Sequence, residues 1–247
     1  MYCRSCRQAS LRVAGITDPE QIAQLKRRNQ ILAEVVSSER SYCKSLQKVW
    51  DFFYLPLKAK QGSMITEADW KSIFSSFGAI ANFQRTMLAE LEEVYAAFQS
   101  DDAPEHFSAV PIANVLSKYA PFLRMYRSYV SNYTSSIATL KRLQCASKDF
   151  AKFVNKQSDE AGGDLAFFLI QPVQRVPRYG LLIRELIKYT PGNLQEGLET
   201  LKKLRDEIDG HCTFINREAT LDDARSKVGE IHNRFRGHDI GAQIMYS

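Results

Sequence analysis

The sequence predicts an all-α, elongated bundle of about six long helices, and three observations predict it. Apolar residues recur at helical spacing along most of the chain, no stretch alternates apolar and polar residues over the length of a strand, and no repeat of solenoid period is visible. Hydrophobic residues make up 45% of the 247 residues and glycine contributes only 12, so one domain with short tails can bury a sizeable core.

Residues 1–19 have no clear period and read as a flexible leader. A long helix is expected from about Glu20 to Leu57, with Leu32, Val35, Tyr42, Leu46, Val49, Trp50 and Phe53 on one arc, ended by Pro56 and the turn Gln61-Gly62-Ser63. Thr66 is placed to cap a short helix through Trp70, Ile73, Phe74 and Phe77, with Asp69 completing a capping box. Gly78 then interrupts, and Ile80, Phe83, Met87, Leu91 and Tyr95 mark the next helix. After a polar loop over 100–106, Pro111 leads a helix carrying Val115 through Tyr129, and a further helix is expected from Ser135 to Lys156. A loop over 158–164 contains Gly162 and Gly163. The last long helix starts near Asn193 and loses its phase near Leu221, so 222–236 reads as a separate or bent piece. The expected division is therefore a leader over 1–19, a helical domain over 20–222 and a C-terminal extension or linker over 223–247.

Between the loop over 158–164 and the last long helix lies FLIQPVQRVPRYGLLIRELIKYT, Phe168 to Thr190, which reads as one helix of about six turns with Pro172 and Pro177 inside it. An interior proline removes a backbone hydrogen bond and costs about 3 kcal/mol. The segment has two faces. Leu165, Phe168, Leu169, Val176, Tyr179, Ile183, Leu186 and Ile187 form a core stripe. Phe167, Ile170, Gln174, Arg178, Leu181 and Glu185 fall on roughly the opposite side, and their mixture of apolar, amide and charged groups has the make-up of an interface.

Composition and motifs exclude several classes of function. The net charge of +5 is mild and no Lys/Arg run interleaves with aromatics, which fits a nucleic-acid binder poorly. No apolar stretch approaches 18 residues, so no membrane span is expected, and the N-terminus lacks the apolar run of a secretory signal. The cytoplasm is the expected compartment. Of the five cysteines, Cys43, Cys145 and Cys212 fall in helical patterns as small hydrophobes, and the pair Cys3-x-x-Cys6 has no second pair at zinc-site spacing. The histidines, His106, His211, His232 and His238, are dispersed without the i, i+4 spacing of paired helical ligands. Glycine-rich phosphate loops and nucleophile elbows are missing too, so no cofactor, no metal and no covalent catalysis are expected.

Three groups of polar residues remain. Glu39 projects near the centre of the first helix's apolar arc and needs a partner, because an unpaired buried carboxylate is expensive. Arg175 points to the edge of its own core stripe and is the candidate for a structural pair with a helix-one carboxylate. Glu34 lies about 100° from Glu39, at the border of the arc, where a solvated carboxylate and an interface residue are both open. Arg178 on the mixed face is likewise either a solvated charge or part of an interface. Asn216, at the margin of the last regular stripe, is a mediocre helix former whose plain reading is a hydrogen bond within the bundle.

These residues resemble a known family. Phe168–Thr190 is similar to the most diagnostic block of Dbl-homology domains, exchange factors for Rho-family GTPases. Residues 31–42, with Glu34, Glu39 and Tyr42, resemble that family's first block, of the usual form E-L-x-x-T-E-x-x-Y, and residues 122–133 resemble its middle. The resemblance runs from about residue 25 to 220. It implies an elongated helical bundle whose first, two-proline and last helices form the GTPase-binding face. On that face Glu34 is expected to contact switch I, Arg178, often lysine in the family, and Asn216 to contact switch II, and Ile170, Gln174 and Leu181 to complete the surface. After Asn216 the family's usual N-E-x-x-R gives way to Asn216-Arg217-Glu218-Ala219. Ile170 is similar to Rac-directed relatives, which favours Rac among the possible partners.

The implied activity is release of GDP from a Rho-family small GTPase by remodelling its switches, with no covalent step. The pleckstrin-homology domain that usually follows is not expected in this chain, and peripheral recruitment to the plasma membrane would come through other regions. Two other readings stay open: a scaffold of the same fold that binds GTPases or other proteins without exchange, and a membrane-associated helical protein, which the dispersed lysines and arginines fit less well.

Overall fold

Asp18 and Pro19 start the first helix. In the computed structural model, which describes residues 18–98, 109–190 and 195–236, the Asp18 carboxylate accepts from the Glu20 N–H at 3.1 Å, and Pro19 sits in the first turn, where its missing N–H has no intrahelical partner to lose. Residues 1–17 of the leader expected over 1–19, with Cys3 and Cys6, the loop over 100–106 with His106, the stop at 191–192 and the segment 237–247 with His238 lie outside the described residues. The described elements are all helical, apart from an isolated bridge between Gln61 and Ile65.

The helix expected from about Glu20 to Leu57 begins as α1, Pro19–Val49, and its helical path runs on to Ala59, just before the Gln61-Gly62-Ser63 turn. Pro56 has no N–H, so the backbone widens into a π-helical turn over Trp50–Tyr54, where the Leu55 N–H reaches the Trp50 carbonyl, and continues as α2, Leu55–Ala59. The Thr66 hydroxyl oxygen caps α3, Glu67–Phe74, by accepting from the Asp69 N–H at 3.0 Å, while the Asp69 carboxylate accepts from the Thr66 hydroxyl at 2.9 Å. The break before α4, Phe77–Phe98, comes at Ser75 with φ 44°, not at Gly78. Gly78 lies inside α4, where its lack of a side chain makes room for Tyr54: a Cβ there would meet the Tyr54 hydroxyl at 2.7 Å, and the Tyr54 ring packs among Trp50, Trp70, Phe74 and Phe77.

Helix α5, Val110–Tyr119, tightens into a 3₁₀ turn over Ala120–Arg124 at Pro121, so the helix expected to run through Tyr129 is two. Helix α6, Met125–Ala146, and α7, Lys148–Ala161, divide the stretch expected to be continuous from Ser135 to Lys156. Ser147 causes this second break: its backbone is extended and its hydroxyl accepts from the Phe150 N–H at 3.2 Å. Cys145 is exposed on α6 and is not the small core hydrophobe expected, whereas Cys43 and Cys212 are half-buried.

The loop expected over 158–164 is only three residues long. Gly162 ends α7 in the left-handed region with φ 72°, and Asp164 caps α8, Leu165–Leu169, by accepting from the Phe167 N–H at 2.6 Å. Lys48 of α1 donates to the Ala161 carbonyl at 2.7 Å and fixes this corner against the first helix. Replacing Gly162 by alanine is expected to cost about 1–2 kcal/mol, because no side chain prefers φ 72°, and to lower Tm by a few degrees in a thermal melt.

The expected two-proline helix is also divided. Pro172 cannot supply the donor that the Phe168 carbonyl would need, so α8 ends and α9, Gln171–Lys188, begins with Pro172 in its first turn. The buried Tyr129 hydroxyl donates to the Leu169 carbonyl at 2.8 Å beside this joint. Only Pro177 is interior, and it leaves the Val173 carbonyl without its intrahelical donor. Helix α10, Gln195–Arg236, is a single helix without the break expected near Leu221. Helix α9 packs on α1, α6 and α10 through Val176, Tyr179, Ile183 and Leu186, so it lies between the first and last helices. The outward sides of α1, α9 and α10 therefore share one surface.

Candidate functional site

A buried polar network sets the spacing of α1 and α9 beneath that surface. The Arg175 guanidinium of α9 pairs with Glu39 of α1, with side-chain exposures of 4% and 0%. The Tyr179 hydroxyl donates to the same Glu39 carboxylate at 2.7 Å, and Arg175 also donates to the Ser38 hydroxyl at 3.4 Å. Gln84 of α4 donates to Tyr179 at 3.1 Å, and the Tyr42 and Tyr126 hydroxyls lie 3.2 Å apart. Burial pushes the Glu39 carboxyl upward, while Arg175 and Tyr179 pull it back toward the ionised form. The guanidinium also sits over the rings of Tyr179 and Tyr42, at 4.5 and 5.1 Å from their centroids.

One turn outward from this network, Glu34 and Arg178 approach each other across the two helices at 3.6 Å, both about half exposed. An exposed pair of this kind contributes at most about 1 kcal/mol, so either charge is free to exchange its partner. The pair forms a bar with a groove on each side. A groove of about 640 Å³ lies toward α10 and is lined by Ile31, Val173, Pro177, Leu181, Ile215 and Asn216, together with Glu34, Gln174 and Arg178. A second, of about 500 Å³, lies toward α8 and is lined by Ser37, Ser41, Ser45, Phe167 and Ile170 with the same three residues.

The structure thus brings Glu34, Gln174, Arg178, Leu181 and Asn216 around one groove and Ile170 around its neighbour. Asn216 is exposed on α10 and lines the groove. Leu181 is 62% exposed at one end of the surface and Phe167 is 58% exposed at the other. Sequence reasoning put Phe167 on the mixed face without assigning it to the site. It also missed the serine stripe of α1, whose signal was the i, i+4, i+8 spacing of Ser37, Ser41 and Ser45 beside Glu34.

His211 lies on α10 just over one turn before Asn216. Burial first, and the nearby Arg127 charge second, hold its imidazole below the ordinary histidine value against a hydrogen bond to the Ala120 backbone. The unfolded chain therefore takes up the proton more readily than the folded one. The stability tied to neutral His211 is full above the ordinary value and is lost as pH falls through the depressed one. The urea midpoint is expected to drop between pH 7.5 and pH 5.5, and His211→Gln to flatten that drop.

Among the described residues, no group of three or more His, Cys, Asp or Glu side chains is arranged to hold a metal, and no helix is long and apolar enough to cross a membrane. A helical surface with paired opposite charges, exposed apolar ends and one apolar and one hydroxyl-lined groove is suited to recognising a folded protein.

Comparison with known proteins places the chain in a family. The chain is 32% identical over 224 residues to a guanine exchange factor for Rac 30 of Dictyostelium discoideum, a match covering 85% of this chain and 13% of that protein. It is 29% identical over 238 residues to the human FYVE, RhoGEF and PH domain-containing protein 2, covering 94% of this chain and 34% of the relative. The chain therefore spans well under two thirds of the length of these curated relatives. Among solved structures, the DH/PH domains of PDZ-RhoGEF in complex with GTP-γ-S-activated RhoA match with a TM-score of 0.71 at 15% identity, over 88% of this chain and 59% of that one. Autoinhibited Vav1 matches with a TM-score of 0.70 at 23% identity, over 81% of this chain and 36% of that one. At such identities these structures establish the all-α fold alone. The model of the RhoGEF domain matches residues 31–216, from Ile31 on α1 to Asn216 on α10, and the chain belongs to the RhoGEF domain family.

Proposed function

We propose that this chain is a guanine nucleotide exchange domain acting on a Rho-family small GTPase, with a Rac-type GTPase as the favoured partner. The observation that carries the reading is the convergence of Glu34, Arg178 and Asn216, from three helices, on one exposed surface whose grooves they line. Glu34 offers an acceptor to switch I, and Arg178 and Asn216 offer donors to switch II, with Gln174, Ile170 and Leu181 filling the surface around them. Engaging the partner exchanges the weak Glu34–Arg178 contact for partly desolvated contacts worth about 1.5–3 kcal/mol each.

No covalent step is required. A domain that binds the nucleotide-free GTPase more tightly than the GDP-bound form must, by reciprocal linkage, weaken GDP binding by the same factor. GDP then leaves and GTP refills the site. The Rac preference is supported by Ile170 and by relatives whose names specify Rac. Calorimetry tests the linkage. The chain is expected to bind nucleotide-free Rac well over tenfold more tightly than GDP-loaded Rac, and GTP is expected to dissociate the complex. Equal affinity for both forms would be incompatible with exchange.

A further inference from the structure

Phe167 is a large apolar side chain that the fold holds rigidly yet leaves 58% exposed. Its backbone N–H is taken by the Asp164 cap at 2.6 Å, and its ring meets Phe168 edge-on at 5.4 Å between centroids. On its other side, a Cβ at Gly163 would come within 3.4 Å of it. Such a ring loses little freedom when a partner covers it, which is the property of a binding anchor.

Its position is as informative as its rigidity. Phe167 and Ile170 wall one side of the 500 Å³ groove, and Ser37, Ser41 and Ser45 of α1 lie along it. The hydroxyl of Ser37 donates to the Glu34 carbonyl at 3.3 Å, that of Ser41 to the Ser37 carbonyl at 3.0 Å, and that of Ser45 to the Ser41 carbonyl at 3.2 Å. With their protons committed to the helix, these oxygens remain as acceptors. The groove therefore asks for a segment with an apolar side chain to cover Phe167 and hydrogen-bond donors for the serines. At 1.5 Å per residue, the row from Phe167 to Leu181 is about 20 Å long, a length that one folded partner can cover in a standard interface.

We infer that Phe167 is a binding anchor for the same GTPase, extending the Glu34–Arg178 site along α8 and supplying affinity rather than the exchange step. This inference rests on the exchange reading above, and its test separates the two. Release of a fluorescent GDP analogue from Rac is followed at increasing concentrations of the chain, for the wild type, Phe167→Ala, Phe167→Tyr, Glu34→Ala and Phe122→Ala. Phe122 is 49% exposed in the 3₁₀ turn and lines neither groove, so it controls for the loss of any exposed aromatic.

Phe167→Ala is expected to raise the half-maximal concentration about tenfold or more while keeping the saturating rate. Phe167→Tyr should stay near wild type, Glu34→Ala should lose the saturating rate, and Phe122→Ala should change neither. Wild-type behaviour of Phe167→Ala, or loss of its saturating rate in a chain that still melts cooperatively, would overturn the anchor while leaving the exchange reading intact. A wild-type chain that releases no nucleotide would overturn both.

Discussion

Glu34→Ala is expected to reduce stimulated GDP release about 10- to 100-fold while leaving the helical fold intact. Glu34 is about half exposed, and its contact with Arg178 at 3.6 Å adds little to stability, so the folded state loses at most about 1 kcal/mol. The loss falls instead on a charge-assisted contact made only in the complex, worth about 1.5–3 kcal/mol. Arg178→Ala is expected to behave similarly, for the same physical reason. Arg178→Lys keeps the charge but loses the forked geometry, and so is expected to fall between the wild type and Arg178→Ala. Circular dichroism and a thermal melt check the fold, and a release assay at fixed chain concentration checks the rate. Unchanged release in both alanine variants would remove Glu34 and Arg178 from the site.

The second large effect lies one layer beneath. Glu39→Ala strands the Arg175 guanidinium, 4% exposed, without its carboxylate, and Arg175→Ala strands Glu39. Removing one partner of a buried ion pair costs about 3–5 kcal/mol, a large fraction of a domain's total stability, so both variants should unfold at much lower denaturant than the wild type. Replacing both residues at once, with Glu39→Leu and Arg175→Met, should recover a good part of the loss, because no uncompensated charge then remains. The Tyr179 hydroxyl keeps Gln84 as a partner in that variant. Urea titration of the wild type and the three variants compares the cost of one stranded charge with that of removing both. A double variant less stable than both single ones would show that the pair does more than neutralise itself.

The fold class was legible because the helical period persists through nearly every element, and the buried faces of α1, α4 and α9 follow the stripes read from it. The breaks were less legible. Ser75 and Ser147 carry no strong punctuation, and each acts through a local backbone geometry that a serine permits but does not announce. Pro56 and Pro172 were visible as residues, yet their effects differ with context. A π-helical turn absorbs the first, while the second falls where a new helix starts and its missing N–H costs little.

The candidate site divides in the same way. The helical angle of Glu39 gave its burial, and the position of Arg175 at the edge of its stripe made it a candidate partner. Which pairs meet across helices was beyond that reading. The 3.6 Å approach of Glu34 and Arg178, and the arrival of Asn216 at the same groove, depend on α9 lying between α1 and α10, which no single helix's period encodes. Phe167 stayed unassigned because an apolar residue on a mixed face looks the same from sequence whether it packs inward or stands out.

The most direct test of the central proposal is the release of fluorescent GDP from purified Rac and RhoA, each with and without this chain, in the presence of excess GTP. Exchange predicts that the chain speeds release from at least one of them, with Rac the more responsive, at a rate that rises with chain concentration and then saturates. Tight binding with release no faster than the GTPase alone would contradict it, and would make the Glu34–Arg178 surface a docking site without exchange.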